Sequence, residues 1–225
     1  MATKNIKDKV KGVKADDIRT KAISAYINYF LINGKQPASV YAFCQESGMS
    51  EDEFYNEFSS FESLEAEVWS DLIIDTVSSI QENKEYNEYG VSEKLLAFYY
   101  TLIEVMKQNR SFILSSYSHR DKREVMPRVL KGVRKEFKLY VGSLIEEGMN
   151  NEEIKKRPYL SDKYDEALWI QFLFVLHFWI KDDSKGFEQT DAAIEKAVKL
   201  SSELMSEGPI DSFIDLAKFI IQNSR

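Results

Sequence analysis

The chain has one cysteine, two histidines and no apolar run long enough to cross a bilayer, and each shortage closes off a class of protein. With Cys44 alone there is no internal disulfide and no multi-cysteine zinc site, which fits a reducing compartment, so a cytoplasmic location is expected. His119 and His177 have no matched carboxylates at ligand spacing, so neither a metal nor a cofactor is expected. The most apolar run, Leu168 to Ile180, falls short of the ~20 residues a membrane helix needs and is broken by Gln171 and His177. The first fourteen residues, MATKNIKDKVKGVK, have no apolar segment of the kind that opens a secretory signal. The chain also lacks a glycine-rich phosphate loop, a nucleophile elbow and any His-x-x-x-His or Cys-x-x-Cys pair, so an enzyme is not expected.

The missing charge is more specific. No lysine or arginine lies between Lys35 and Lys84, while that stretch carries eleven acids, among them Glu46, Glu51, Asp52, Glu53, Glu57 and Glu62. This one segment makes the whole chain acidic, at a net charge of −7. At 225 residues and 44% hydrophobic content the chain can bury a proper core as one large or two modest domains.

What is present reads as helix throughout. Residues 1–15 carry Lys4, Lys7, Lys9, Lys11 and Lys14 against Asp8 and show no stripe that would order them, so they read as a flexible basic arm. From Asp16, Ile18, Ala22, Ala25, Tyr26 and Phe30 recur at spacings of three and four until Gly34 ends the helix. Ser39 then caps a second helix through Ser47. Gly48 turns the chain, and Ser50 with Glu53 three residues on makes a capping box for a third helix. Helices follow over 61–83, 91–108, 110–118, 126–147 with Gly148 as its stop, 162–181, on through Met205 after a polar turn at 182–186, and finally 210–222 behind Gly208 and Pro209.

The stretch from Ala22 to Leu64 resembles the N-terminal DNA-binding domain of TetR-family regulators. Ala25, Phe30 and Gly34 match that family's first helix, Ser39 and Val40 the start of the second, and Gly48-Met49-Ser50 the turn. Phe54, Tyr55 and Phe58 match the aromatic end of the recognition helix, and Phe61-Glu62-Ser63-Leu64 opens the fourth. The resemblance implies an all-α fold: an N-terminal three-helix helix-turn-helix domain over 16–62, then a C-terminal helical ligand-binding and dimerisation bundle over 63–225. It also makes Ser39, Tyr41, Ser50, Tyr55 and Asn56 the candidates for contact with DNA. Two departures fall where such proteins touch phosphate: the recognition helix opens on Glu51-Asp52-Glu53, and Phe61 stands in place of the usual lysine. Phosphate-binding cations supply the sequence-independent part of affinity, so this charge pattern argues against DNA binding. The three acids also suit the positive end of a helix dipole, whatever the function.

The C-terminal part is rich in aromatic residues. Phe98, Tyr99, Leu102, Met106, Phe112, Tyr117, Trp169, Phe172 and His177 are the candidates for lining a pocket for an apolar small molecule or lipid. For His177, a hydrogen-bonded place in the core is the plainer alternative. The helix holding LWIQFLFVLHFWI is apolar nearly all round and must be covered on more than one side. Together with the helix that follows, it resembles the pair through which TetR-type proteins dimerise, so a homodimer is expected, with Phe174, Phe178, Ile194 and Val198 at its interface. Three functions remain open: a ligand-responsive regulator, as a repressor; a module of the same fold that has lost DNA binding and carries a lipid or small molecule, similar to ubiquinone-biosynthesis accessory proteins; and a protein whose acidic head docks a basic protein partner.

Overall fold

A computed structural model describes residues 2–118, 127–158, 160–206 and 208, with side chains from Asp17 onward. The helices are α1 (Ala2–Asn33), α2 (Val40–Ser47), α3 (Glu51–Glu57), α4 (Phe61–Gln81), α5 (Val91–Gln108), α6 (Arg110–Ser118), α7 (Leu130–Asn150), α8 (Tyr164–Lys181) and α9 (Glu188–Met205). Short 3-10 turns lie at Lys84–Glu88, Ser161–Lys163 and Lys185–Phe187, and there is no strand among the described residues. His119, the expected helix start at Met126 and the expected helix over 210–222 lie outside the described residues.

Two expectations change. α1 begins at Ala2, within the stretch read from sequence as a flexible basic arm. No proline interrupts that stretch, and a search for apolar periodicity passes over a helix whose regular positions are not apolar. Gly148 does not stop α7, which runs on to Asn150. A Cβ at Gly148 would lie 2.7 Å from Val91 Cγ2 and 2.8 Å from Ile154 Cδ1, so the glycine is there to let α5 and the chain after α7 approach.

The chain forms two compact units: Met1–Leu72 with Met106–Val133, and Ile73–Val105 with Arg134–Arg225. In the first, the core is a set of aromatic rings. Phe61 is its hub, with ring centroids 5.6 Å from Tyr26, 5.4 Å from Phe43 and 5.6 Å from Phe54. Phe112 on α6 closes the set against Tyr26 and Phe30. Each buried phenyl contributes roughly 1.5–3 kcal/mol, which lets helices as short as α2 and α3 hold their places. Around the rings, Arg19 binds Asp71 through two hydrogen bonds, at 2.8 and 2.9 Å, and Glu67 at 3.1 Å, while the Tyr26 hydroxyl donates to Glu65. Trp69 Nε1 donates to Ser116 Oγ at 2.9 Å, tying α4 to α6.

In the second unit, Phe98 stacks on Tyr140 at 4.8 Å, and Phe137 carries the packing on to Phe172 and Trp169. Polar side chains fix the ends of its helices. Lys94 on α5 is buried and pairs with Glu147 on α7. Buried Arg157 donates to the backbone oxygens of Leu204, Met205 and Ser206, satisfying the C-terminus of α9, and to the Tyr164 hydroxyl. On the surface of α7 and α8, hydrogen bonds from Lys138 and Arg134 hold the Glu166 carboxyl down to about 2.

Candidate functional site

The first candidate site is the helix-turn-helix of the first unit. Its turn rests on Gly48, at φ 62° and ψ 44°, a left-handed conformation that glycine adopts without strain. Lys21 Nζ donates to the Gly48 carbonyl at 2.6 Å, fastening α1 to this turn. Ser39 Oγ accepts from Ala42 N at the start of α2. At the start of α3, Ser50 Oγ accepts from Glu53 N while the Glu53 carboxylate accepts from Ser50 N and from the Ser50 hydroxyl. Phe54 and Phe58 turn inward and are buried, leaving Glu51, Asp52, Glu53, Tyr55 and Asn56 exposed on α3 and Tyr41 exposed on α2.

The five candidates for DNA contact therefore share one helix-turn-helix, in two classes. All five are exposed; Tyr41, Tyr55 and Asn56 carry no capping role, whereas the Ser39 and Ser50 hydroxyls also serve as helix caps. Phe61, standing where a phosphate-binding lysine is usual, is 7% exposed and belongs to the ring core.

The second candidate site is an apolar groove of about 820 Å³ between α8 and α9. Ile170 and Phe174 on α8, with Leu200 and Leu204 on α9, are large apolar side chains standing 44% to 67% exposed along it. Of the residues expected at a dimer interface, Phe174 and Phe178 line this groove, but Ile194 and Val198 are buried in the chain's own core. The reason is register. On α9 the set Ile194, Val198 and Met205 faces inward, and the set Ala197, Leu200 and Leu204, three and four residues apart, forms the outward stripe. Both sets are periodic in sequence, so periodicity alone does not choose between them.

None of the nine pocket candidates lines this groove. Phe98, Tyr99, Leu102, Trp169 and Phe172 are packed inside the second unit, while Met106, Phe112 and Tyr117 belong to the first. His177 is exposed on α8 and is not a core residue, because the buried side of the helix is taken by Leu168, Phe172, Val175, Leu176 and Trp179. One buried polar feature stands out. The Tyr99 hydroxyl is fully enclosed with the Gln171 amide as its polar neighbour, and the pair falls short of ordinary hydrogen-bond geometry among the described residues. Burial pushes the Tyr99 hydroxyl pKa well up, so the group is neutral. Gln171 also reaches the groove.

Among the described residues, no group of three or more His, Cys, Asp or Glu side chains has the spacing to hold a metal, and no helix is long and apolar enough to cross a membrane. Cys44 is buried, and burial raises its thiol pKa.

Comparison with known proteins agrees with this architecture. No curated protein matches the chain in sequence. A TetR-family transcriptional regulator structure from Syntrophomonas wolfei superposes with a TM-score of 0.65 at 19% identity, covering 86% of this chain and 99% of its own. A second such regulator, from Shewanella sp. PV-4, gives a TM-score of 0.56 at 13% identity, covering 85% and 99%. A protein of unknown function from Rhodococcus sp. RHA1 gives 0.55 at 11% identity, covering 84% and 96%. Residues 94–220 match the family model described as the tetracyclin repressor-like C-terminal domain. With more than half of the chain matched by that model, and a helix-turn-helix ahead of it, this protein belongs to the TetR family of transcriptional regulators.

Proposed function

We propose that this chain is a homodimeric, ligand-responsive transcriptional regulator, acting as a repressor, whose helix-turn-helix binds duplex DNA. The observation that carries this reading is the α3 surface: a capped helix that buries Phe54 and Phe58 and leaves Tyr55 and Asn56, with Tyr41 of α2, free to meet a groove edge. The second copy covers the α8–α9 groove, where four large apolar side chains stand exposed. The ligand is a small apolar or aromatic molecule, taken up in the second unit, where the enclosed Tyr99 hydroxyl and Gln171 amide, set short of ordinary hydrogen-bond geometry, would offer it a polar partner. Such a ligand prefers one spacing of the two heads, and DNA affinity falls by the same coupling free energy.

One observation favours a second reading. Glu51, Asp52 and Glu53 are exposed at the opening of α3, and no cation occurs between Lys35 and Lys84 to offset them. On that ground the fold would serve as a lipid- or small-molecule-binding module that no longer binds DNA. Fluorescence anisotropy with genomic fragments flanking the protein's own coding region, at low and physiological salt, separates the two. The regulator reading expects competitor-resistant binding that weakens with salt. Absence of binding even at low salt rejects it, and mass spectrometry of the molecule retained by the second unit then becomes the informative step.

A further inference from the structure

Gln171 stands in the middle of α8 with a neighbour on each side. Inward, its Nε2 is enclosed beside the Tyr99 hydroxyl of α5. Burial raises the pKa of that hydroxyl and the Gln171 amide acts against the rise, as a donor aimed at the phenolic oxygen does. Outward, Gln171 lines the α8–α9 groove among Ala167, Ile170 and Phe174. With the nitrogen turned in, the carbonyl oxygen Oε1 is the polar atom left for the groove side. Among the described residues the groove is lined by no acid, but it is lined by Lys196, exposed on α9. None of the α9 residues three or four positions from Lys196 is acidic, and the neighbouring Glu195 accepts from the Tyr100 hydroxyl. α8 and α9 run antiparallel: Trp179 meets Phe187 at one end, and Arg157 joins the Tyr164 hydroxyl to the Met205 carbonyl at the other. Gln171 lies about 10 Å along α8 from Tyr164, and Lys196 about 14 Å along α9 from Met205, so the two stand at nearly the same level.

We propose that Gln171 and Lys196 form the polar lock of the dimer: the Lys196 ammonium of each copy donates to Gln171 Oε1 of the other. The inference rests on the reading that a second copy covers this groove, and it names the residues that set how the two copies meet. A two-fold interface is isologous, so a residue that meets another across it is met in return. A two-fold axis through the middle of the groove leaves the level of Gln171 and Lys196 facing itself, which sets Gln171 of one copy opposite Lys196 of the other. Covering the groove removes water from Oε1, and a buried carbonyl without a donor is costly, so the interface must bring one. Among the donors that line the groove, the Ser201 hydroxyl is spent on the Val198 carbonyl and the Tyr164 hydroxyl on the Lys155 carbonyl. Lys163 and Gln189 stand at opposite ends of the groove, each about two turns from this level. Lys196 is the donor that remains, and its methylenes can lie on apolar surface while the ammonium reaches Oε1. One polar contact inside an apolar seam fixes register, because every slipped packing leaves it unmade.

The test measures dimer dissociation constants by analytical ultracentrifugation for the full chain, for Lys196→Glu, for Gln171→Lys, and for an equimolar mixture of the two variants. Circular dichroism and melting confirm that each variant is folded. Lys196→Glu sets an acceptor against an acceptor, and Gln171→Lys sets a cation against a cation, so each alone should dimerise at least ~10-fold more weakly than the parent. The mixture should recover the parent's affinity, because a heterodimer sets the new lysine of one chain against the new glutamate of the other and keeps one native pair. Lys196 is exposed in the single chain, so Lys196→Glu carries the test even where Gln171→Lys fails to fold. If the parent is a dimer and Lys196→Glu dimerises as tightly, this inference is overturned while the dimer reading stands. Weakened variants whose mixture recovers nothing would place the pair within one chain and overturn it too. If the parent chain is monomeric, the dimer reading and this inference fall together.

Discussion

Asp182 shows how much a single side chain decides at the join of α8 and α9. It is buried, its Oδ2 accepts from Thr190 N at 2.9 Å and from the Thr190 hydroxyl at 2.6 Å, and its Oδ1 accepts from Ser184 N at 2.8 Å. Burial alone would raise its pKa, but the hydrogen bonds from Ser184 and Thr190 outweigh it and bring the group down from 3.8 to about 2. A carboxylate with a depressed pKa in the folded state contributes stability that is complete above its ordinary value and is lost as pH falls towards the folded value. Asp182→Ala is therefore expected to cost about 1–2 kcal/mol at neutral pH, the usual worth of a helix cap. Denaturant melts should also show the variant losing less further stability than the parent chain between about pH 4 and pH 2. Equal pH dependence in the two proteins would remove Asp182 from this role. In the sequence the residue is only part of a polar turn, since its partners become visible once the chain has reversed direction and brought Thr190 back to it.

At the scale of the element, α3 and α7 differ in how far local sequence reaches. The capping box of α3 is a contact between residues three apart, so Ser50 and Glu53 announce it, and the structure places both of its hydrogen bonds. Gly148 in α7 looks like a stop for the same kind of local reason, but its role is to admit Val91 and Ile154, which no local pattern reveals. The exposed start of α3 supports a direct charge test. Glu51→Lys with Asp52→Lys keeps the capping box and places two cations where DNA is expected. Affinity for a mixed-sequence duplex should rise, and the salt slope should steepen by about 2 as both new cations reach phosphate. The cost to the helix dipole is roughly 0.3–1 kcal/mol per replaced acid, small enough for the fold to survive. A doubly substituted chain that melts normally and gains no affinity would show that α3 does not face DNA.

At the scale of the whole molecule, the prediction concerns the outward stripe of α8 and α9. Ile170 is 67% exposed and Leu200 57%, and burying side chains of this kind is worth roughly 1.5–3 kcal/mol each. Light scattering on the parent chain should give a dimer, and Ile170→Glu with Leu200→Glu should give a folded monomer. A monomeric parent chain would refute the dimer reading. The sequence by itself determined the helical class, the helix-turn-helix and the shortage of cations in the head. These are matters of local spacing, capping chemistry and composition, which act between near neighbours or need no geometry at all. Only the tertiary structure decided which periodic stripe of α9 faces outward, that Ile194 and Val198 are core, that His177 is exposed, and that Phe61 is a packing hub. Each of these depends on which surface a distant element covers. A helix with two apolar faces carries no mark of which one its neighbours will bury, and that choice is made by the packing of the chain as a whole.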